Sequence, residues 1–423
     1  MKFRFASFCI IAVIGLAGPL AWASSDAGEE TDASDSIGSE KIPRLGRNSV
    51  NIDSTAFFRE ALQHEDKEFP GLVYIGARVL GMDPGFVYSC REGLELLYLR
   101  EYTSAKAHFD QMGRDWPGTA VSPIGQVLVW QALMLENFDF KFEQQYQHSS
   151  KKARQQLQEA LLQPGNEGWE HFVMGGMLGI ESIHAVRHEE YLSALNRGYE
   201  AMKSIKKAQE AAPEFVDATL GDGLYNYWVT IISMSSKLIP TRTDRRLEGI
   251  EQMMLVEQQG IFLGPAATLG LTFTWIEEKR TGEALRSALK NHRNYPNNVI
   301  NNIVLSRIYI YKRKYTDAER LLKNILKTAP KNERAHYYLG RLYLRWNKID
   351  LAEKHLDTYL AFSDLDEMYR GWALYYRGHL YYRKKQWDEA EDCYKQAWKK
   401  AKVKKAKSRL AKIDEQRKKS RTE

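Results

Sequence analysis

Four alanines constrain this chain more than any other feature. The stretches "RTGEALRSAL", "KYTDAERLL", "KIDLAEKHL" and "QWDEAEDCY" carry Ala284, Ala318, Ala352 and Ala390 in one setting, at steps of 34, 34 and 38 residues. A period of 34 is the length of a helix, a turn and a second antiparallel helix, so the recurrence predicts stacked helical hairpins. Each alanine falls early in a second helix, where a small side chain lets the partner helix approach. Upstream, the first helices carry Leu305 with Ser306, Leu339 with Gly340 and Arg377 with Gly378. Downstream, Pro296 and Pro330 end the second helices, because Pro lacks a backbone donor and clashes with the preceding turn.

The same template places other segments. "GFVYSCREGLELLYLREYTSAKAHFDQMGRDWP" has Gly93, Ala105, Phe109 and Pro117 at repeat intervals. "GDGLYNYW", residues 221–228, has the paired glycines of a phosphate-cradling turn but no preceding strand and no Lys. Its distance from Pro213 makes Gly221 the close-contact residue of a first helix, packed by Leu224, Tyr225 and Trp228; the repeat does not account for Gly223. Between these units, residues 120–212 read as longer hairpins, with Gly175, Gly176 and Gly179 expected at tight helix crossings.

This pattern resembles the tetratricopeptide repeat. The resemblance implies an all-α fold, a right-handed superhelical solenoid of antiparallel helix pairs, divided into a helical region with extended hairpins over 56–260 and a regular array over 261–398. A narrower likeness covers roughly residues 85–330. The glycine-bearing helix, "DATLGDGLYNYW", "KLIP", a basic loop and "LEGIEQM" look like the helical family that includes the inclusion-body clearance proteins of the mitochondrial outer membrane and its bacterial relatives. That family has no established catalytic residues, so the likeness implies no chemistry.

The ends of the chain bear on compartment. Lys2 and Arg4, the apolar run from Phe5 to Leu20, and Ala21 and Ala23 before a polar segment form the pattern of a secretory signal peptide over 1–23. The expected compartment is a bacterial periplasm. Residues 24–55 are rich in Ser, Asp, Glu and Gly and read as a disordered polar leader. Beyond residue 23, Cys90 and Cys393 are the remaining cysteines, too few for a disulfide framework, and each is expected to act as a small apolar residue. The formal net charge is +7, but residues 399–423 hold twelve Lys or Arg against three acidic residues. The basic character therefore belongs to the tail, and it does not make the body a nucleic-acid binder. Val403, Ala406, Leu410 and Ile413 recur at helical spacing in that tail, which suits a capping helix over the last hairpin or a patch for anionic lipid headgroups.

Catalytic signatures are scarce. The chain has no Gly-x-Ser-x-Gly, no His-Glu-x-x-His and no Walker loop. Glu181, His184 and His188 in "GIESIHAVRHEEY" share one helix face and form a candidate metal site, which would make the chain a metal carrier or a metal-dependent enzyme. The leading expectation is instead a non-enzymatic scaffold without cofactor. Projecting the repeat places Arg307, Tyr311, Tyr337, Arg341, Arg345, Trp372, Tyr375, His379, Tyr382 and Arg383 on a concave face. Aromatics and Arg suit recognition of a protein or peptide, here an acidic or mixed extended segment. The tetratricopeptide subtype that clamps a free C-terminal carboxylate uses Lys and Asn where this chain has Ile303 and Arg307, so no free C-terminus is implied. An alternative is a peripheral membrane-surface protein held by the basic tail.

Overall fold

In the computed structural model, residues 55–63, 68–137, 139–163, 165–188, 190–235, 243–363 and 365–422 are described, and their regular structure is helical. The signal-peptide and leader expectations lie outside these residues, apart from the last leader residue, Thr55. The described residues form two compact units, those from 55 to 132 with those from 142 to 298, and those from 133 to 141 with those from 299 to 422. The first regular hairpin is held in the first unit by the tie of its last turn to residues 95–98, detailed below.

The first unit contains α1 (Thr55–Leu62), α2 (Gly71–Leu80), α3 (Pro84–Tyr98), α4 (Tyr102–Asp115) and the first part of α5 (Val121–Asn137). It continues with α6 (Glu143–Ala160), α7 (Glu167–Arg187), α8 (Tyr191–Ala211), a 3-10 turn (Val216–Ala218), α9 (Thr219–Ser235), α10 (Arg246–Gln259), α11 (Gly264–Glu277) and α12 (Thr281–Asn294). "GDGLYNYW" is helical throughout, within α9. The positions of Gly223 and Gly249 explain each other: a Cβ on Gly249 would stand 2.5 Å from the Gly223 carbonyl oxygen, so the α9 and α10 backbones touch there. The expected crossings in α7 are confirmed only for Gly175, whose Cβ would meet Ile205 at 2.7 Å. Gly176 and Gly179 would meet nothing within 4 Å among the described residues, so tight packing does not account for them.

Two long-range ties close this unit. Asp217, fully buried, accepts from the main-chain N–H groups of Ile261, Phe262 and Leu263 at 2.7, 2.8 and 2.6 Å. Arg91 Nη1 donates to the Ile261 carbonyl at 2.9 Å on the same loop. The second tie joins α3 to the end of α12: the Tyr295 hydroxyl donates to Glu95 at 2.9 Å, and Asn298 Nδ2 donates to the Tyr98 carbonyl.

The second unit holds the last residues of α5, then α13 (Val299–Tyr311), α14 (Tyr315–Thr328), α15 (Glu333–Arg345), α16 (Ile349–Leu360), α17 (Glu367–Arg383), α18 (Trp387–Ala401) and α19 (Lys404–Thr422). Ala318, Ala352 and Ala390 are fully buried. A Cβ on Gly340 would meet the Leu356 side chain at 2.7 Å, and one on Gly378 the Tyr394 ring at 2.8 Å, which explains the small residues in the first helices. Val403, just before α19, and Ala406 and Ile413 within it are buried in a cluster with Leu374, Tyr375, Ala390 and Tyr394, and Arg417 pairs with Glu391 and Asp388 on α18. Among the described residues no helix is long and apolar enough to cross a membrane. Cys90 and Cys393 are free and buried, and burial pushes both thiol pKa values up, that of Cys393 to about 11.

The hairpin turns repeat as regularly as the alanines. Arg100, Lys279, Arg313, Asn347 and Lys385 have φ between 57° and 68°, each five residues before the buried alanine of its hairpin. The following N–H reaches back across the turn, from Lys314 to the Tyr309 carbonyl at 2.8 Å and from Lys348 to the Tyr343 carbonyl at 2.8 Å. This is the helix-ending geometry usually supplied by Gly, and an L side chain there costs about 1 kcal/mol. Arg313→Gly and Lys385→Gly, both at exposed positions, are therefore each expected to raise stability by about 0.5–1 kcal/mol. The check is the urea midpoint; a lower midpoint in both variants would show that the turns draw on those side chains.

Candidate functional site

The residues projected onto a concave face separate into two groups. In the first, on α13, α15 and α17, the Arg307 guanidinium lies 5.5 Å from the Tyr338 ring, and that of Arg341 lies 5.7, 5.5 and 5.1 Å from the rings of Tyr337, Tyr338 and Tyr376. These are cation–π distances. Tyr337 also contacts Tyr359, Tyr369 and Tyr376, with ring centroids 5.3, 5.2 and 6.2 Å away. In the second group Trp372 and Tyr375 meet edge to face at 5.5 Å, Tyr375 and His379 stack at 6.5 Å, and His379 and Tyr382 stack at 6.4 Å.

Exposure differs from the projection. Arg307, Tyr337, Arg341 and Tyr375 are buried, at 5, 4, 7 and 8% exposure. Tyr337 and Tyr375 occupy equivalent repeat positions, and each packs on neighbouring elements, Tyr337 on α16 and α17 and Tyr375 in the cluster with α18 and α19. The expected place of Arg307, Tyr337, Arg341 and Tyr375 on an open face is corrected accordingly. Arg345, Trp372, His379 and Tyr382 are partly buried, while Tyr311 and Arg383 are exposed. Arg383 bridges hairpins by donating to the Leu344 carbonyl at 2.9 Å.

Three residues that the projection missed complete the arginine group. Arg334, one turn before Tyr337 on α15, donates to the Leu135 carbonyl at 3.1 Å. Tyr338 and Tyr369 form its aromatic centre. Burial pushes the pKa of the hydrogen-bonded Tyr338 and Tyr369 phenols up, and the nearby positive charges of Arg307 and Arg334 oppose that rise. The position of Tyr338 between Arg334 and Arg341 on one helix was the available signal. Its significance depends on Arg307 arriving from another helix, which the repeat alone does not mark.

The metal candidate is also redrawn. Glu181 is buried and committed elsewhere: Ser150 Oγ donates to it, Arg154 pairs with it, and Arg197 stands 3.9 Å away. Glu143, at the start of α6, takes its place beside the histidines. His184 Nε2 lies 2.9 Å from Glu143 Oε2, His188 Nε2 lies 3.5 Å from the same oxygen, and the two Nε2 atoms are 3.2 Å apart. Burial pushes the pKa of His184 down to about 4, so the ring is neutral at pH 7. Burial would raise the pKa of Glu143, but hydrogen bonds from Gln147 and His184 outweigh it and hold that pKa below the usual value. Glu143 lies 41 residues from His184, and no periodicity links them.

Residues 309–371 match the tetratricopeptide repeat family. The chain carries tetratricopeptide repeats. No curated protein matches it. Solved structures that align with this tetratricopeptide protein include the human IFIT1 dimer with PPP-AAAA, at 15% identity and a TM-score of 0.39, covering 79% of this chain and 86% of that one. The tetratricopeptide domain of P58(IPK) aligns at 14% identity and a TM-score of 0.25, covering 80% and 100%. Naa15/Naa10 bound to HypK-THB aligns at 14% identity and a TM-score of 0.28, covering 85% and 78%. The repeats of this tetratricopeptide protein fit a scaffold role in general.

Proposed function

We propose that this tetratricopeptide protein is a non-catalytic adaptor whose second unit holds an acidic, extended protein segment on the side of its first helices. The observation that supports the reading is the convergence of arginines on Tyr338: the guanidinium groups of Arg307 and Arg341 each lie 5.5 Å from its ring, and Arg334 stands one turn before it on the same helix. Positive potential from these buried arginines attracts carboxylates, which the less buried Arg345 can grip bidentately. The partly buried Arg345 and Trp372 lie beside this group, and Trp372 supplies contact area with little rotamer entropy. We place the protein in the bacterial periplasm, in envelope assembly or secretion, on the signal-peptide pattern of residues 1–23.

Fluorescent peptides of matched length and acidic, neutral or basic composition test the proposal. Acidic peptides are expected to bind with an affinity that falls as salt rises. Arg307→Gln with Arg341→Gln is expected to weaken them at least about tenfold, roughly 1.4 kcal/mol, with an unchanged circular-dichroism spectrum. Arg345→Gln, at a less buried position, serves as a second variant with less risk to the fold. Equal binding of acidic and basic peptides, or folded variants that bind like wild type, would move the binding surface elsewhere.

A further inference from the structure

The geometry points to a divalent-cation site of the zinc class formed by Glu143 Oε2, His184 Nε2 and His188 Nε2, with a fourth position open to solvent. The three donor atoms form a triangle with sides of 2.9, 3.2 and 3.5 Å. A tetrahedral ion bound at 2.0–2.2 Å by nitrogen and oxygen holds its donors about 3.3–3.6 Å apart, so the triangle is close to the edge lengths of such a site. A single cation accepts one lone pair from each of these three atoms at once.

The surroundings suit that role. Gln147 Nε2 donates to Glu143 Oε1 at 2.8 Å, which helps fix the carboxylate, and His184 Nε2 lies 3.0 Å from that oxygen as well as 2.9 Å from Oε2. The Tyr146 ring lies against that of His184, with centroids 4.2 Å apart, and the histidine itself is only 2% exposed. Such support orients ligands and sharpens affinity. His188 stands at the C-terminal end of α7, where the helix dipole favours positive charge. Its side chain and that of Glu143 are 34% and 29% exposed, so an ion has a route in and a water can complete the coordination. Arg187 adds an opposing positive charge nearby, which the Glu143 carboxylate offsets. Two nitrogens and one oxygen suit zinc or cobalt better than magnesium or calcium.

The test uses the untagged full chain, stripped with a chelator and dialysed, then titrated with zinc sulfate alone against a chromophoric chelator. One ion per chain is expected, together with the visible absorption of tetrahedral cobalt when cobalt replaces zinc. His188→Ala and Glu143→Gln are expected to abolish stoichiometric binding with unchanged metal-free unfolding midpoints. Gln147→Ala is expected to weaken binding about 10–100-fold. His148→Ala, an exposed histidine on the same helix, is expected to bind as wild type does. Absence of stoichiometric binding in wild type, or its retention in folded His188→Ala and Glu143→Gln, would overturn the assignment.

Discussion

Replacing Asp217 with Ala is expected to cost about 3–5 kcal/mol of stability, the range for breaking a buried charged hydrogen-bond network on one side. The carboxylate is wholly buried and accepts three consecutive main-chain N–H groups between α10 and α11. Ala leaves all three without an acceptor in the interior, and water has no route to them unless the loop opens. Arg91 would then lose the carboxylate that offsets its buried charge. Asp217→Asn keeps the shape and one good acceptor but turns an NH2 toward a main-chain donor, so an intermediate loss of about 2 kcal/mol is expected. Urea unfolding followed by circular dichroism measures both, fitted with separate transitions if the two units unfold apart. A loss below about 1 kcal/mol for Asp217→Ala would show that the loop satisfies its own donors.

The second large effect is expected at Gly249. Its Cβ would fall 2.5 Å from the Gly223 carbonyl oxygen and 2.8 Å from the Tyr227 nitrogen, both main-chain atoms of α9 that no rotamer change can move aside. Gly249→Ala gains up to about 1 kcal/mol of helix propensity, but forcing two helices apart costs more, for an expected net loss of about 2–3 kcal/mol. Gly176→Ala is the matched control. Open space surrounds it among the described residues, so propensity decides the sign, and a gain of about 0.5–1 kcal/mol is expected. If both variants shifted stability in the same direction, the contact between the two backbones would not be what selects glycine in α10.

Much of the fold was legible because the repeat encodes local geometry. Ala318, Ala352 and Ala390, with Gly340 and Gly378, mark where paired helices touch, and a fixed interval makes such positions visible in one sequence. The αL turn residues share that interval, yet residue type hid them, since Arg, Lys and Asn stand where Gly is usual. The sites were harder. Tyr337 and Tyr375 were placed on an open face because the projection followed single hairpins and ignored what the neighbouring elements cover. Glu143 replaced Glu181 beside His184 because a helix face shows which residues share a side, but not which facing helix supplies the partner. Asp217 was invisible for the same reason, as its donors lie 44 to 46 residues away on a loop with no signature.

The ties of the first unit also set a timetable. An array whose repeats touch only their neighbours can settle hairpin by hairpin as the chain emerges. Glu95 and Tyr98, however, find their partners Tyr295 and Asn298 only 200 residues later. At synthesis rates of 5–20 residues per second, α3 waits about 10–40 s for those contacts. Its apolar residues Phe86, Val87 and Leu97 must be sheltered by local hairpin packing or by a chaperone during that interval. The closed first unit therefore has a longer period of vulnerability during its making than the repeat pattern alone suggests.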